Sequence, residues 1–252
     1  MTNIILCGCG GRMGKAVYAA AQDDTAIVAG IDINASDLSA ALPFPVYESI
    51  FDFGGKADVI VDFSHHSSLP SLLKYAKDTQ TPVVVATTGH TEEELRLMRE
   101  AANEVAIFHS GNFSIGINLL VNLARQAART LGLDFDVEII EKHHNKKLDA
   151  PSGTAIMIAD GVASEREQSE YVYDRHSVRK AREKSEIGIH SIRGGTIVGE
   201  HEILFAGNNE TISISHSAAS REIFATGALR AAIYLSKKQT GLYSMSDLIE
   251  GK

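Results

Sequence analysis

The sequence predicts an α/β protein, a Rossmann-type doubly wound parallel sheet joined to a second α+β domain with a mixed or antiparallel sheet. Three observations predict it. Residues 1–113 alternate short apolar runs with amphipathic segments, the rhythm of β-α-β units. A glycine cluster follows the first apolar run and opens into a helical segment. Beyond about residue 113 that rhythm breaks, and strand-like runs follow one another without helices between them.

The elements follow in order. Asn3–Cys7 is a continuous apolar run, as expected of a strand buried on both faces. Gly14–Ala21 is helical, and Ile27–Ile31 is the next strand. Val59–Phe63 and Pro82–Thr87 are two more, with helical spacing over Ser67–Asp78 between them. Glu92–Glu104 is a charged amphipathic helix, for which Thr91 and Glu94 form a capping box. Val105–Phe108 is a fifth short strand. Asn118–Leu131 then reads as a helix, Asp136–Glu141 as a strand, and a further helix begins at Ser152. Ile187–Arg193, Thr196–Phe205 and Thr211–His216 are strand-like, the last two joined by a turn-rich AGNNE link. The polar stretch Glu165–Glu186 is expected to be a loop or weak helix, and Ile223–Ser236 a long helix.

Composition narrows the function classes. With 252 residues, 44% hydrophobic and 22% charged, the chain is an ordinary globular one with room for a sizeable core. A net charge of −8 argues against a nucleic-acid partner, which would want a basic face. Cys7 and Cys9, one residue apart, give neither a disulfide framework nor zinc spacing, and read as small buried residues. No apolar stretch approaches the ~20 residues that span a bilayer, and the start lacks the basic flank of a signal peptide. A cytoplasmic location with no membrane partner is therefore expected.

Two places carry chemistry. The first is GCGGRMG, residues 8–14, read as G-x-x-G-x-x-G through Gly8, Gly11 and Gly14. Glycines let backbone approach a pyrophosphate, and the following helix start offers N–H groups and positive dipole to it. Asp32 closes the second strand, where a carboxylate accepts from ribose hydroxyls and repels a 2′-phosphate. That leans towards NADH over NADPH, although Arg12 can serve a phosphate. Thr87-Thr88-Gly89 and Ser110-Gly111-Asn112-Phe113 follow the fourth and fifth strands, where loops line the ligand crevice. An ordinary turn explains each of these two equally well when taken alone.

The second place is EIIEKHHNKKLDAPSGTA, residues 138–155. A strand runs into His143 and His144, Lys147 follows, and Ser152 caps a helix whose Gly153 and Thr154 N–H groups suit a carboxylate. Hydride addition to an electron-poor C=C or C=N leaves negative charge that must be protonated. His143 or Lys147 can do this, while His144, Lys147, Gly153 and Thr154 can hold acid groups. A polar surface loop is the plain alternative. No metal site is expected, since adjacent histidines on a strand face opposite ways and no third ligand is evident. His201 with Glu200 reads as sheet surface, and Arg193 as part of a hairpin turn; His65 and His66 are placed to line the cleft.

Together the motifs GCGGRMG, ATTG, GNFSIGIN, EIIEKHHNKKLDAPSGTA and GGTIVGEHEILF, with SHSAASREIFATGALRAA after them, resemble the 4-hydroxy-tetrahydrodipicolinate reductase (dihydrodipicolinate reductase) family. The resemblance implies NAD(P)H-dependent reduction of a small dicarboxylate in lysine and diaminopimelate biosynthesis. It implies that His143 is the proton donor/acceptor with Lys147 its partner, and that His144, Gly153 and Thr154 contact substrate. It places the cofactor on Gly8, Cys9, Gly10, Gly11, Arg12 and Met13, on Asp32, on Ala86, Thr87 and Thr88, and on Ser110, Gly111, Asn112 and Phe113. Ala86 stands where many members carry glycine, and Ser110-Gly111 replaces the usual Ala-Pro or Ala-Ala. The resemblance also implies a homotetramer built through the second domain. It returns the C-terminal segment to the first, giving a dinucleotide-binding domain of 1–113 with 223–252 and a substrate and oligomerisation domain of 114–222. Two other readings remain open at this point, an NAD(P)-binding regulator without turnover and another Rossmann amino-acid dehydrogenase.

Overall fold

The computed structural model describes residues 1–251 and divides into two compact units, Met1–Ser114 with Glu222–Lys252, and Ile115–Arg221. The first unit is built on a seven-stranded sheet. Its strands are β1 (Thr2–Cys7), β2 (Thr25–Ile31), β3 (Val46–Tyr47), β4 (Val59–Asp62), β5 (Val83–Val85), β6 (Ala106–His109) and, from the chain's end, β12 (Gly241–Tyr243). They lie in the order β12-β6-β5-β4-β1-β2-β3, and every pairing is parallel. Ile4, Ile5 and Leu6 of β1 and all of Val59–Val61 are fully buried, which is why these runs carry no polar alternation.

Helices cover both faces. On one lie α3 (Leu69–Thr79) and α4 (Glu92–Ala101), whose Leu72, Leu73, Ala76 and Met98 join Ile5, Ile60, Val83 and Ile107 in one core. On the other, α1 (Arg12–Ala20) packs against α7 (Glu222–Leu235), which also crosses β4, β5 and β6. The short α2 (Ala35–Leu38) follows β2, and α8 (Met245–Glu250) closes the chain. The capping box on α4 forms as expected: Glu94 N–H donates to Thr91 Oγ1 at 3.2 Å, and Thr91 N–H to Glu94 Oε2 at 2.7 Å. The first helix starts two residues before the expected Gly14, with Gly11 as its N-cap.

The second unit holds five strands, β7 (Asp136–His143), β8 (Glu170–Val172), β9 (Glu186–Arg193), β10 (Gly199–Ala206) and β11 (Thr211–Ala218), in the order β11-β10-β7-β9-β8. The pairs β11/β10 and β10/β7 are antiparallel, while β7/β9 and β8/β9 are parallel, so the sheet is mixed. Helices α5 (Ile115–Leu131) and α6 (Gly153–Ala163) lie together on one face. Their Leu120, Ala124, Ile158 and Val162 meet Val137, Ile139, Ile187, Ile203 and Phe205. Alternate residues Glu138, Ile140, Lys142, Glu202 and Leu204 point to the opposite face and are only half-buried.

The stretch Glu165–Glu186 is largely loop, as one of the two expected readings had it, with one correction. It contains β8, whose three residues are too few for a periodic pattern and form only because β9 offers an edge to pair with. No helix among the described residues is long and apolar enough to cross a membrane.

Candidate active site

In the first unit, β1 runs straight into the glycine cluster. Gly8 has φ +74°, and a Cβ there would lie 2.6 Å from the Phe63 carbonyl oxygen, so this turn needs glycine. Gly14, in the first turn of α1, lies against the Gly8 carbonyl, where a Cβ would come within 2.2 Å. The helix start is thereby pressed onto the loop. Gly11 caps α1 without any side-chain bond, leaving the helix start to act as an anion seat.

Asp32, just past the end of β2, is tied into the same loop. Its Oδ2 accepts from Gly10 N–H at 2.9 Å and its Oδ1 from Asn34 N–H at 3.0 Å. Gly8, Gly10, Gly11, Asp32, Ile33 and Asn34 line a cavity of about 700 Å³, a size that suits a nucleotide. His65 lines it too, while His66 instead pairs with Glu94, Nδ1 to Oε1 at 2.9 Å. The residues present therefore fit a dinucleotide: a glycine-rich loop, a helix start and a carboxylate at the ribose position. Cys9, fully buried against Gly30, can offer backbone only; Arg12 is exposed beside it.

Of the other expected cofactor residues, Met13 lies half-buried in the first turn of α1, and the rest sit at the carboxyl ends of β5 and β6; none is in that cavity's lining. Ala86 and Thr87 are buried and Thr88 is exposed. The Thr87 hydroxyl donates to Asp62 Oδ2 at 2.8 Å, and Ser64 N–H donates to Asp62 Oδ1 at 3.1 Å. Burial nevertheless pushes the Asp62 carboxyl above its usual range. After β6, Ser110 Oγ donates to the Asn112 carbonyl at 3.0 Å, and Asn112 Oδ1 accepts from Ser114 N–H at 2.8 Å. Gly111 is exposed, whereas the Phe113 ring is buried against Phe63 and Phe108. Sequence reasoning did not single out Asp62, whose polar side chain at the end of an all-apolar strand was the available signal.

In the second unit, the end of β7, the turn after it and the start of α6 converge. His143 is the last residue of β7, and its Nδ1 lies 2.6 Å from Glu141 Oε2. Ser152 caps α6, accepting from Ala155 N–H at 3.1 Å while its own N–H reaches Glu141 Oε1 at 3.1 Å. Gly153 and Thr154 open the helix, and open space lies where a Gly153 Cβ would stand. Lys147 pairs with Asp149 at 2.8 Å, and His144 Nε2 lies 3.3 Å from Arg221 Nη2.

Two expectations are corrected here. His201 is not sheet surface: it is 4% exposed, with its ring 5.2 Å from that of His143 and its Nε2 3.2 Å from Ser152 Oγ. Arg193 is no mere turn residue: Nη1 and Nη2 donate to the two oxygens of Glu141 at 2.8 and 2.7 Å, and Nη2 also to the Asp149 carbonyl. Burial would raise the Glu141 carboxyl, but Arg193, His143, Ser191 and Ser152 outweigh it and hold it down at about 2. The His143 imidazole is lowered from its usual value by burial, with Glu141 pulling the other way. Burial and the neighbouring His143 push His201 down to about 4. At neutral pH the cluster is an ionised carboxylate clamped by a guanidinium beneath two mostly neutral imidazoles. Among the described residues no group of His, Cys, Asp and Glu is arranged to hold a metal ion.

The fold and this chemistry define the class, a Rossmann-type NAD(P)-dependent oxidoreductase with an added mixed-sheet unit. Family models described as the N- and C-termini of dihydrodipicolinate reductase match residues 2–113 and 116–249. The chain belongs to the dihydrodipicolinate reductase family. It is 50% identical to the 4-hydroxy-tetrahydrodipicolinate reductase of Caldanaerobacter subterraneus subsp. tengcongensis, over 99% of both chains. It is 47% identical to that of Clostridium novyi, over 100% of both. Among solved structures, a dipicolinate-bound dihydrodipicolinate reductase from Paenisporosarcina sp. TG-14 superposes with a TM-score of 0.80 at 26% identity, covering 97% of each chain.

Proposed function

We propose that this chain reduces 4-hydroxy-tetrahydrodipicolinate to tetrahydrodipicolinate, consuming NAD(P)H and a proton and releasing water, within lysine and diaminopimelate biosynthesis. One observation carries the reading: both halves of the reductase family match this chain, over residues 2–113 and 116–249, and a relative of that name is 50% identical over 99% of both chains. Bound NAD(P)H supplies a hydride. The chain's own residues do the rest. Gly8, Gly10, Gly11 and the start of α1 take the pyrophosphate, and Asp32 the adenosine ribose. Thr87, Thr88 and the Ser110–Phe113 loop serve the nicotinamide end. The Thr87 contribution is its backbone, because its hydroxyl is engaged by Asp62.

His143 exchanges the proton that balances hydride addition, and Lys147 supports it. His144, Gly153 and Thr154 receive the substrate's carboxylates. The dipicolinate on the Paenisporosarcina relative supports a small cyclic dicarboxylate as substrate here. Residues 1–113 with 223–252 act as the dinucleotide-binding part and 114–222 as the substrate-binding and assembly part. The half-buried sheet face bearing Ile140 and Leu204 supports a homotetramer formed sheet to sheet. The cytoplasm is the compartment where such a biosynthetic step belongs.

A coupled assay tests this directly. A synthase supplies fresh substrate from pyruvate and aspartate semialdehyde while NADH and NADPH absorbance is followed. Oxidation of either is expected, and His143→Gln is expected to lower kcat by roughly 10²–10⁴-fold, the usual worth of a general acid–base group. Cofactor binding without oxidation would favour a regulatory protein instead.

A further inference from the structure

The mechanism as proposed uses His143 but gives no part to the fully buried carboxylate beneath it. Glu141 sits on the helix-covered face of β7, in step with Val137 and Ile139, where an unpaired charge would be costly. Donors meet both of its oxygens, and the Ser191 hydroxyl on the paired strand adds a further bond. Oε1 takes Ser152 N–H and Arg193 Nη2; Oε2 takes Arg193 Nη1 and His143 Nδ1. An ionised carboxylate can only accept, so the histidine nitrogen facing it must carry a hydrogen. That fixes the neutral ring as the Nδ1–H tautomer and leaves Nε2 with its lone pair. Nε2 lies beside Gly199 of β10, where a Cβ would stand 3.1 Å away and crowd it. His201, paired with Glu141 in strand register, packs edge-on against the ring and limits its rotation.

We propose that Glu141 is a positioning residue for the reduction: it holds the Nδ1 proton of His143 so that Nε2 is the nitrogen exchanging a proton with the substrate, and Arg193 holds Glu141 in place. This rests on His143 being the proton-exchanging group of the proposed reaction. The groups facing the imidazole are Glu141 on its own strand, Arg193 from β9, His201 from β10 and Lys147 from the following turn. His216, on β11, lies behind His201.

Glu141→Gln separates positioning from packing. Two donors that cannot reverse, Ser152 N–H and Arg193 Nη2, meet the Oε1 site, against one, Arg193 Nη1, at the Oε2 site, where the histidine can change tautomer; the amide oxygen therefore belongs at Oε1. The amide NH₂ then occupies the Oε2 site and donates to Nδ1, driving the ring proton to Nε2. Proton–nitrogen correlation spectra of the full chain, labelled on its histidine rings and assigned with His143→Gln, read the tautomer at a pH where the ring is neutral. The unaltered protein is expected to show Nδ1–H and Glu141→Gln Nε2–H. For Glu141→Gln we expect kcat about 10²-fold lower, an unchanged KM for NADH, and the histidine limb of the kcat/KM pH profile moved to lower pH. Gly199→Ala leaves the carboxylate cluster intact and crowds Nε2, so kcat should fall with the tautomer unchanged. It serves as the second variant should Glu141→Gln fail to fold. Nε2–H in the unaltered protein, or full turnover in either variant, overturns the proposal. Absence of any NAD(P)H oxidation by the unaltered chain sinks the reaction itself, while the tautomer measurement still decides what Glu141 does to the ring.

Discussion

At the scale of single residues, the informative contrast is between Asp32 and Glu141. Asp32 was legible because it follows a strand at the position where a dinucleotide fold puts its ribose acceptor. Glu141, Arg193 and His201 were not, because each sits in a run that reads equally well as strand surface. Strand parity held the missing signal. Val137, Ile139, Glu141 and His143 alternate on one face of β7, and Gly199, His201, Ile203 and Phe205 on one face of β10. Register sets Glu141 opposite His201, two polar groups in line with buried apolar ones. A polar residue on apolar parity is either a mistake or a site. Asp32 also makes a prediction at this scale. Its carboxylate braces Gly10 and Asn34 and opposes a 2′-phosphate. Asp32→Ser should raise the ratio of kcat/KM for NADPH over NADH by about tenfold, some 1.4 kcal/mol of discrimination. An unchanged ratio in parallel assays with the two cofactors would show that specificity lies elsewhere in the cavity.

Among the elements, the long buried or strongly periodic ones were legible and the shortest edge strands were not. β1 and β4 announce themselves as apolar runs, and α4 by its charged face and capping box. β3, β8 and β12 are two or three residues each, and each lies at the edge of its sheet. Nothing local sets their conformation; the neighbouring strand's free hydrogen-bonding groups do. The turn from β7 into α6 shows the opposite case, in which a local rule held. Ser152 was expected as a cap, and it caps. The capping box on α4 yields a clean test because Thr91 lies outside the proposed site. Thr91→Ala removes the oxygen that accepts Glu94 N–H at the start of a largely exposed helix. The loss should be about 1 kcal/mol of unfolding free energy, read from the midpoint of a urea titration at unchanged slope. No shift would mean that packing of Met98 and Ala101 alone holds this helix.

For the whole molecule, the distribution of perturbed groups sets how the fold responds to acid. Three glutamates are held from an ordinary 4.5 down to about 2: Glu94 by Thr91 N–H and His66, Glu141 by Arg193 and His143 against its burial, and Glu165 by Arg129 and Arg125. A carboxylate depressed in the folded state stabilises the fold above its unfolded value, and that share is lost as pH falls from 4.5 towards 2. Several imidazoles add an earlier window. His109, His143, His201 and His216 are all lowered from 6.5, chiefly by burial, with His201 reaching about 4. The unfolded chain takes up these protons first, so stability declines as pH falls from 6.5. Asp62 runs the other way: its raised carboxyl binds a proton more tightly in the fold, which offsets a part of the loss. Denaturant midpoints taken from neutral pH downward should therefore fall in two overlapping stages, the first across the histidine window and the second across the glutamate one. Glu165→Gln should flatten only the second stage, because its partners Arg125 and Arg129 stay charged throughout and no imidazole acts on it. A midpoint that stays level from pH 7 to about 3 would show that these groups are as easily protonated in the fold as in the unfolded chain, and the electrostatic account of both clusters would fall with it.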